Sequence, residues 1–164
     1  MAASRKAEEE EASLDQRITQ MLTEARVILP GAQALLGFQL AIVITSSFDK
    51  LADSSKYVHA LSLVFIALVV ILLMAPAAYH RIVYAGEDAA EFHRTGSILV
   101  TAATVPLALG MSVDLFVVMA KIAGIEAGAI IAVLALVGFV ALWHVYPAVR
   151  RGLIGPAARR SPAE

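Results

Sequence analysis

The stretch that most constrains this chain is Val58–Tyr79. It is 22 residues long and carries no acidic or basic side chain except His59. A helix of that length spans roughly 33 Å, enough to cross a hydrocarbon core of about 30 Å. The run stops on Tyr79-His80-Arg81. A charged turn follows, with Tyr84, Glu87, Asp88, Glu91, His93 and Arg94, and the chain then turns apolar again. The pattern is a membrane hairpin whose polar tip holds two His-Arg pairs.

Composition extends that reading to the whole chain. Hydrophobic residues make up 59% of it, charged residues 16%, and the mean hydropathy is +0.76. A soluble domain is typically about 45–50% apolar. It would have little amphipathic surface with which to cover four nearly all-round apolar blocks, whereas a bilayer removes the difficulty. The expected fold is all-α: a four-transmembrane-helix bundle preceded by an amphipathic interfacial helix. A net charge of −1 gives no hint of a nucleic-acid partner. The absence of cysteine excludes disulfides, thiol catalysis and thiolate metal sites. The acidic N-terminus has no early apolar region, so no cleavable signal peptide is expected.

Taken in order, residues 1–12 read as a disordered acidic N-terminus. Ser13 offers an N-cap and Gln16 completes a capping box. Leu14, Ile18, Met21, Leu22, Ala25 and Ile28 then share one helical face, so 13–28 reads as an amphipathic cytoplasmic helix along the membrane surface. The alternative is a helix that turns this face to the bundle. Pro30-Gly31 is expected to end or kink it. The membrane domain covers 29–149, with spans near 30–47, 58–79, 96–118 and 127–146 set by length. From Arg150 the chain reads as a basic cytoplasmic tail, 150–164.

The first span carries Gln33 and Gln39 beside a row of small residues, Gly31, Ala34, Gly37 and Ala41. Lipid penalises bare amides, so both are expected to face protein or water, as helix contacts or as part of a polar path. That expectation makes the first span the protein-surrounded helix, in the bundle or at an oligomer interface. In the third span Asp114 is either a functional carboxylate or an interfacial one that pairs with Lys121 or water. Gly124, Gly128, Ala132 and Ala135 form a second close-packing row, and Trp143, His144 and Tyr146 sit where aromatic residues favour the interface. Four spans put both termini on one side. Ten of the Lys and Arg residues fall there and three, Lys50, Lys56 and Lys121, on the other, which assigns the termini and the His-Arg loop to the cytoplasm.

Two strings carry a resemblance: Glu24-Ala25-Arg26-Val27-Ile28-Leu29-Pro30-Gly31-Ala32-Gln33-Ala34-Leu35 and Ala75-Pro76-Ala77-Ala78-Tyr79-His80-Arg81. They resemble a family of small, functionally uncharacterised bacterial four-span membrane proteins, over roughly residues 13–120 and least in the fourth span. The resemblance implies an inner-membrane location. It supplies no activity and no catalytic residues.

Four chemistries are compatible with such a chain. Passage of an ion or proton would use the cytoplasmic cluster of Glu24, Arg26, His80, Arg81, Glu87, Glu91, His93 and Arg94, with Gln33, Gln39 and Asp114 further in. Four short helices cannot easily enclose a water-filled route, so this reading needs a homo-oligomer. The same cluster also reads as a salt-bridged loop in which Arg26 pairs with Glu24 or a loop carboxylate. His80 and His144 end two spans at similar depth, as two haem ligands would, but no further ligand pair accompanies them. No H-E-x-x-H, G-x-S-x-G or P-loop is present, so an enzyme is not expected. No cofactor, metal or catalytic residue is therefore assigned. The fourth reading is an assembly or regulatory protein that binds membrane lipid or other membrane proteins through its helix faces and basic tail.

Overall fold

The computed structural model describes residues 2–84 and 89–153. Helices α1 (Ala2–Val43), α2 (Ser46–Asp49), α3 (Asp53–Val83), α4 (Ala90–Ala123) and α5 (Ile125–Val140) follow one another. A π-helical turn (Ala141–Val145) then leads into α6 (Tyr146–Leu153). The chain is all-α, and four helical stretches are long and apolar enough to cross a membrane: Ala12–Val43, Asp53–Val83, Ala90–Ala123 and Ile125–Leu153. It is a multi-pass membrane protein on that ground. Contacts divide it into two units, Met1–Gly110 and Met111–Glu164, with the division inside α4.

In the first unit, α1 corrects two expectations. The helix begins at Ala2 rather than after a disordered 1–12, and it runs through Pro30 instead of stopping there. Proline removes one N–H and pushes on the Arg26 carbonyl four residues back. Both residues are exposed, so that disturbed turn lies on the outer side of the helix. On the inner side Ile18, Met21, Ala25, Ala32 and Gln39 are all buried at spacings of three, four, seven and seven, one unbroken stripe. That stripe, not the Pro-Gly signal, decides the length of the helix. The segment 13–28 is therefore not a separate element, and its apolar face turns inward except at Ile28, which is exposed. Ile18 and Met21 pack with Phe92, flanked by Leu14, Leu22 and Tyr79.

The register of α1 also moves its membrane segment. At one end Met21 lies beside Gly96 and Pro76, since a Cβ on Gly96 would come within 2.5 Å of Met21 Sδ and 3.7 Å of Pro76 Cβ. At the other end Gln39 bonds Ser62. The helices α1 and α3 are thus antiparallel. The apolar stretch Val58–Tyr79 faces α1 from near Met21 to its end at Val43, not from Pro30 to Ser47. The middle of the unit is an apolar layer of Ala25, Ala32, Val69, Leu73 and Ala103, with Leu29, Val70, Leu72, Val100 and Leu107 around it.

A short connection ends α1. Thr45 donates its hydroxyl to the Ile42 carbonyl at 2.7 Å and accepts the Phe48 N–H at 3.3 Å, which caps α2. Asp53 in the first turn of α3 pairs with Lys56 at 3.2 Å on the surface. The prolines inside α3 and α4, Pro76 and Pro106, are both buried, as packed membrane helices tolerate.

In the second unit, Gly124 alone separates α4 from α5. Its φ of +92° is open to glycine and strained for other residues. One turn later Gly128 is buried against α4, where a Cβ would lie 2.8 Å from the Ala120 backbone nitrogen. The close-packing row read from the sequence is realised at this residue. The helical path continues beyond α5 and through Pro147. A π-type bond from the Tyr146 N–H to the Ala141 carbonyl widens the turn ahead of the proline, and α6 continues to Leu153. Of the basic tail, 154–164 lie outside the described residues.

Candidate functional site

Three polar groupings stand out against the apolar background. The first is a buried knot near the Lys50 end of the first unit. Gln39 is 2% exposed, Ser62 0% and His59 5%. Gln39 Nε2 donates to Ser62 Oγ at 2.7 Å, and Ser62 Oγ donates to the Gly110 carbonyl at 2.9 Å. His59 Nε2 lies 3.2 Å from the Gln39 carbonyl, a bond that needs the proton on Nε2, and its ring meets Phe48 edge-on at 5.5 Å. The knot joins α1, α3 and α4. Gly110 packs closely here: a Cβ there would fall 2.6 Å from Ile66 Cδ1 and 3.3 Å from Phe65 Cβ, so those side chains would have to shift. Sequence alone marked Gln39 as a helix contact or as part of a polar path. It did not mark Ser62 or His59, for which the only signal is their spacing of three on one face of an otherwise apolar helix.

Gln33 lies elsewhere. It is exposed, as are Gly31, Ala34, Gly37 and Ala41, and nothing lies within 4 Å of where Gly31 and Gly37 would carry a Cβ. The expectation that both amides face inward therefore holds for Gln39 and fails for Gln33 within one chain. Within one chain the first span is therefore covered on one side only. At 100° per residue, six residues turn the two amides 120° apart, so a helix docked on one side buries only one of them.

The second grouping is a cleft of about 230 Å³ between α1 and α4. From α1 it is lined by Arg17, Gln20, Met21 and Glu24, and from α4 by His93, Ser97, Val100 and Thr101. Each set keeps to one side of its helix, every member three or four residues from at least one other. Gln20 Nε2 donates to Glu24 Oε1 at 3.3 Å. The cleft draws Glu24 and His93 out of the predicted cytoplasmic cluster. Arg26, Arg81 and Arg94 are exposed, and no ion pair joins Arg26 to Glu24 or Glu91 among the described residues. Glu87, the other expected partner, lies outside them.

The third grouping is aromatic. His80 packs at a tilt against buried Phe92 with ring centres 4.5 Å apart, and Tyr79 and Tyr84 surround the same ring at 6.2 and 6.0 Å. His80 is thus part of the packing at the α3–α4 end. The Tyr84 hydroxyl is pushed up to about 12, first by its hydrogen bond with Tyr79, then by burial and by the Glu91 carboxylate. In the second unit Asp114 is half-buried on α4 and Lys121 exposed, and His144 sits half-buried in the π-helical turn. Among the described residues no three His, Asp or Glu side chains gather as a metal ion would need.

The chain belongs to the DUF6328 family, a family of unknown function, whose model matches residues 7–147. No curated protein and no solved structure matches it.

Proposed function

We propose that this member of the DUF6328 family is a non-catalytic assembly protein of the bacterial cytoplasmic membrane, homo-oligomeric, with both termini cytoplasmic. The outward amide of Gln33 carries the reading. Gln39 is level with Ser62 and Met21 with Pro76, so Gln33 lies near the level of Val64 to Leu68, the middle of the α3 apolar stretch. An amide facing hydrocarbon at that depth costs on the order of a few kcal/mol. A second copy offers the complementary donor and acceptor, and Ala34, Gly37 and Ala41 on the same exposed face let two α1 helices approach closely.

Passage of ions or protons is the competing reading. Polar residues at both ends of the first unit favour it: Gln39 and His59 at one, Glu24 and His93 at the other. The apolar layer of Ala25, Ala32, Val69, Leu73 and Ala103 stands between them, so a conducting path would have to form between copies.

Gln33→Leu separates the two readings. Its melting temperature should match the parent, while its subunit number in lipid, counted by single-molecule photobleaching, should fall toward one. An unchanged count rejects assembly through Gln33. Proton flux into liposomes that disappears in Gln33→Leu would move the reading to transport. Orientation is checked by labelling Ser13→Cys and Ser54→Cys in intact cells, where only Ser54→Cys should react from outside.

A further inference from the structure

The cleft between α1 and α4 has a polarity along its length. Both helices run in the same direction through it. Arg17 and His93 stand about one turn before the level of Met21, Gly96 and Pro76; Glu24 and Thr101 stand about one turn beyond it. The apolar stretch of α3 ends at Tyr79, three residues from Pro76, so Arg17 and His93 lie at the edge of the membrane segment. Glu24 and Thr101 lie inside it, roughly 10 Å deeper. A cationic and an imidazole donor therefore mark the shallow end. The hydroxyls of Ser97 and Thr101 line the α4 wall, and a carboxylate held by Gln20 closes the deep end.

We propose that this cleft binds a phosphate ester, seated with its phosphate between Arg17 and His93 and its ester oxygens toward Ser97 and Thr101. A guanidinium is suited to phosphate oxygens because its planar fork donates two parallel bonds. Glu24 sets the direction of binding, since a phosphate moved deeper would meet a like charge. Met21 and Val100 give the cleft an apolar side on which the carbon chain beyond the ester can lie. The volume of about 230 Å³ suits a phosphoglycerol unit and is too small to enclose acyl chains, which would have to run out along the helices into the bilayer. Two sources share this chemistry: a phospholipid of the adjoining leaflet and a soluble phosphate ester. The site rests on the membrane placement of the four helices and not on oligomer formation.

The test titrates the full chain, in a neutral maltoside detergent, with dihexanoyl phosphatidylglycerol, glycerol 3-phosphate and dihexanoylglycerol, followed by calorimetry. Arg17→Gln should weaken binding of the phosphorylated ligand at least tenfold, and Glu24→Gln should strengthen it about threefold, since one removes a counter-charge and the other a like charge. Should Arg17→Gln fail to fold, Arg17→Lys, expected to keep the charge and lose several-fold in affinity, takes its place. Tight phosphatidylglycerol with weak glycerol 3-phosphate identifies a lipid headgroup site; equal affinities identify a soluble phosphate ester. Dihexanoylglycerol bound as tightly as either would overturn the proposal, as would an Arg17 variant with unchanged affinity or a shift of the same sign in both variants. Subunit number measured on the same samples keeps this result separate from the oligomer reading.

Discussion

The knot of Gln39, Ser62 and Gly110 makes an asymmetric prediction. Ser62→Ala removes an oxygen that both accepts from Gln39 Nε2 at 2.7 Å and donates to the Gly110 carbonyl at 2.9 Å. The Gln39 amide stays buried, with a methyl where its acceptor had been. Gln39→Leu removes the same 2.7 Å bond but takes the buried amide away with it, at nearly constant side-chain volume, and leaves Ser62 still donating to Gly110. A buried polar group deprived of its partner costs about 1–3 kcal/mol, whereas removing both members of a pair is close to neutral. The unfolded state of a membrane protein also finds polar partners, which lowers measured side-chain bonds to about 0.6 kcal/mol on average and about 1.7 at most. The expected losses are therefore about 2 kcal/mol for Ser62→Ala and about 1 kcal/mol for Gln39→Leu. The double variant should lose no more than Ser62→Ala alone, a coupling of about 1 kcal/mol.

The assay is reversible unfolding in mixed micelles at increasing mole fraction of denaturing detergent, read by far-ultraviolet circular dichroism on all four proteins. Strict additivity, or a Gln39→Leu loss larger than that of Ser62→Ala, would refute the argument. Either result would mean that the amide is stabilising through something other than Ser62.

Two further outcomes follow from the geometry. Gly128→Val should lower stability by about 1–3 kcal/mol, because the added Cβ meets the Ala120 backbone nitrogen at 2.8 Å and a backbone cannot step aside. Gly96→Ala should cost less in the same unfolding assay, because its nearest neighbour is the flexible end of Met21. For Tyr84, a hydroxyl pushed up to about 12 means the folded state favours the neutral phenol, so its contribution to stability is full below about pH 10 and is lost as pH rises through about 12. A phenolate absorbance titration of the parent minus Tyr84→Phe should show the missing step near pH 12; a step near pH 10 would contradict the Tyr79 hydrogen bond as its cause.

Much of the fold was legible because its signals are long or rare. Twenty-two residues without a formal charge apart from a histidine cannot be read as a surface loop, and Gly124 between two apolar runs marks a turn that the backbone then makes at positive φ. What misled was local punctuation. Pro30-Gly31 is a strong stop signal over a few residues, yet α1 passes it. Proline removes one bond from a helix, whereas the stripe from Ile18 to Gln39 buries five side chains. The balance lies with the stripe.

That single misplacement explains the part of the site that was missed. With the helix ended at Pro30, Arg17 and Gln20 read as the wet side of a helix lying on the membrane; Glu24 and His93 fell in one charged cluster, but nothing connected that cluster to Ser97 and Thr101. Once Met21 stands beside Gly96, the two polar faces meet at the boundary of the apolar stretch and form one cleft. The same shift carries Gln33 from the edge of the membrane segment to its middle. An amide at an edge can reach water, but an amide at the middle cannot, so the register that opens the cleft also puts Gln33 where the proposed contact with a second copy would supply its partner.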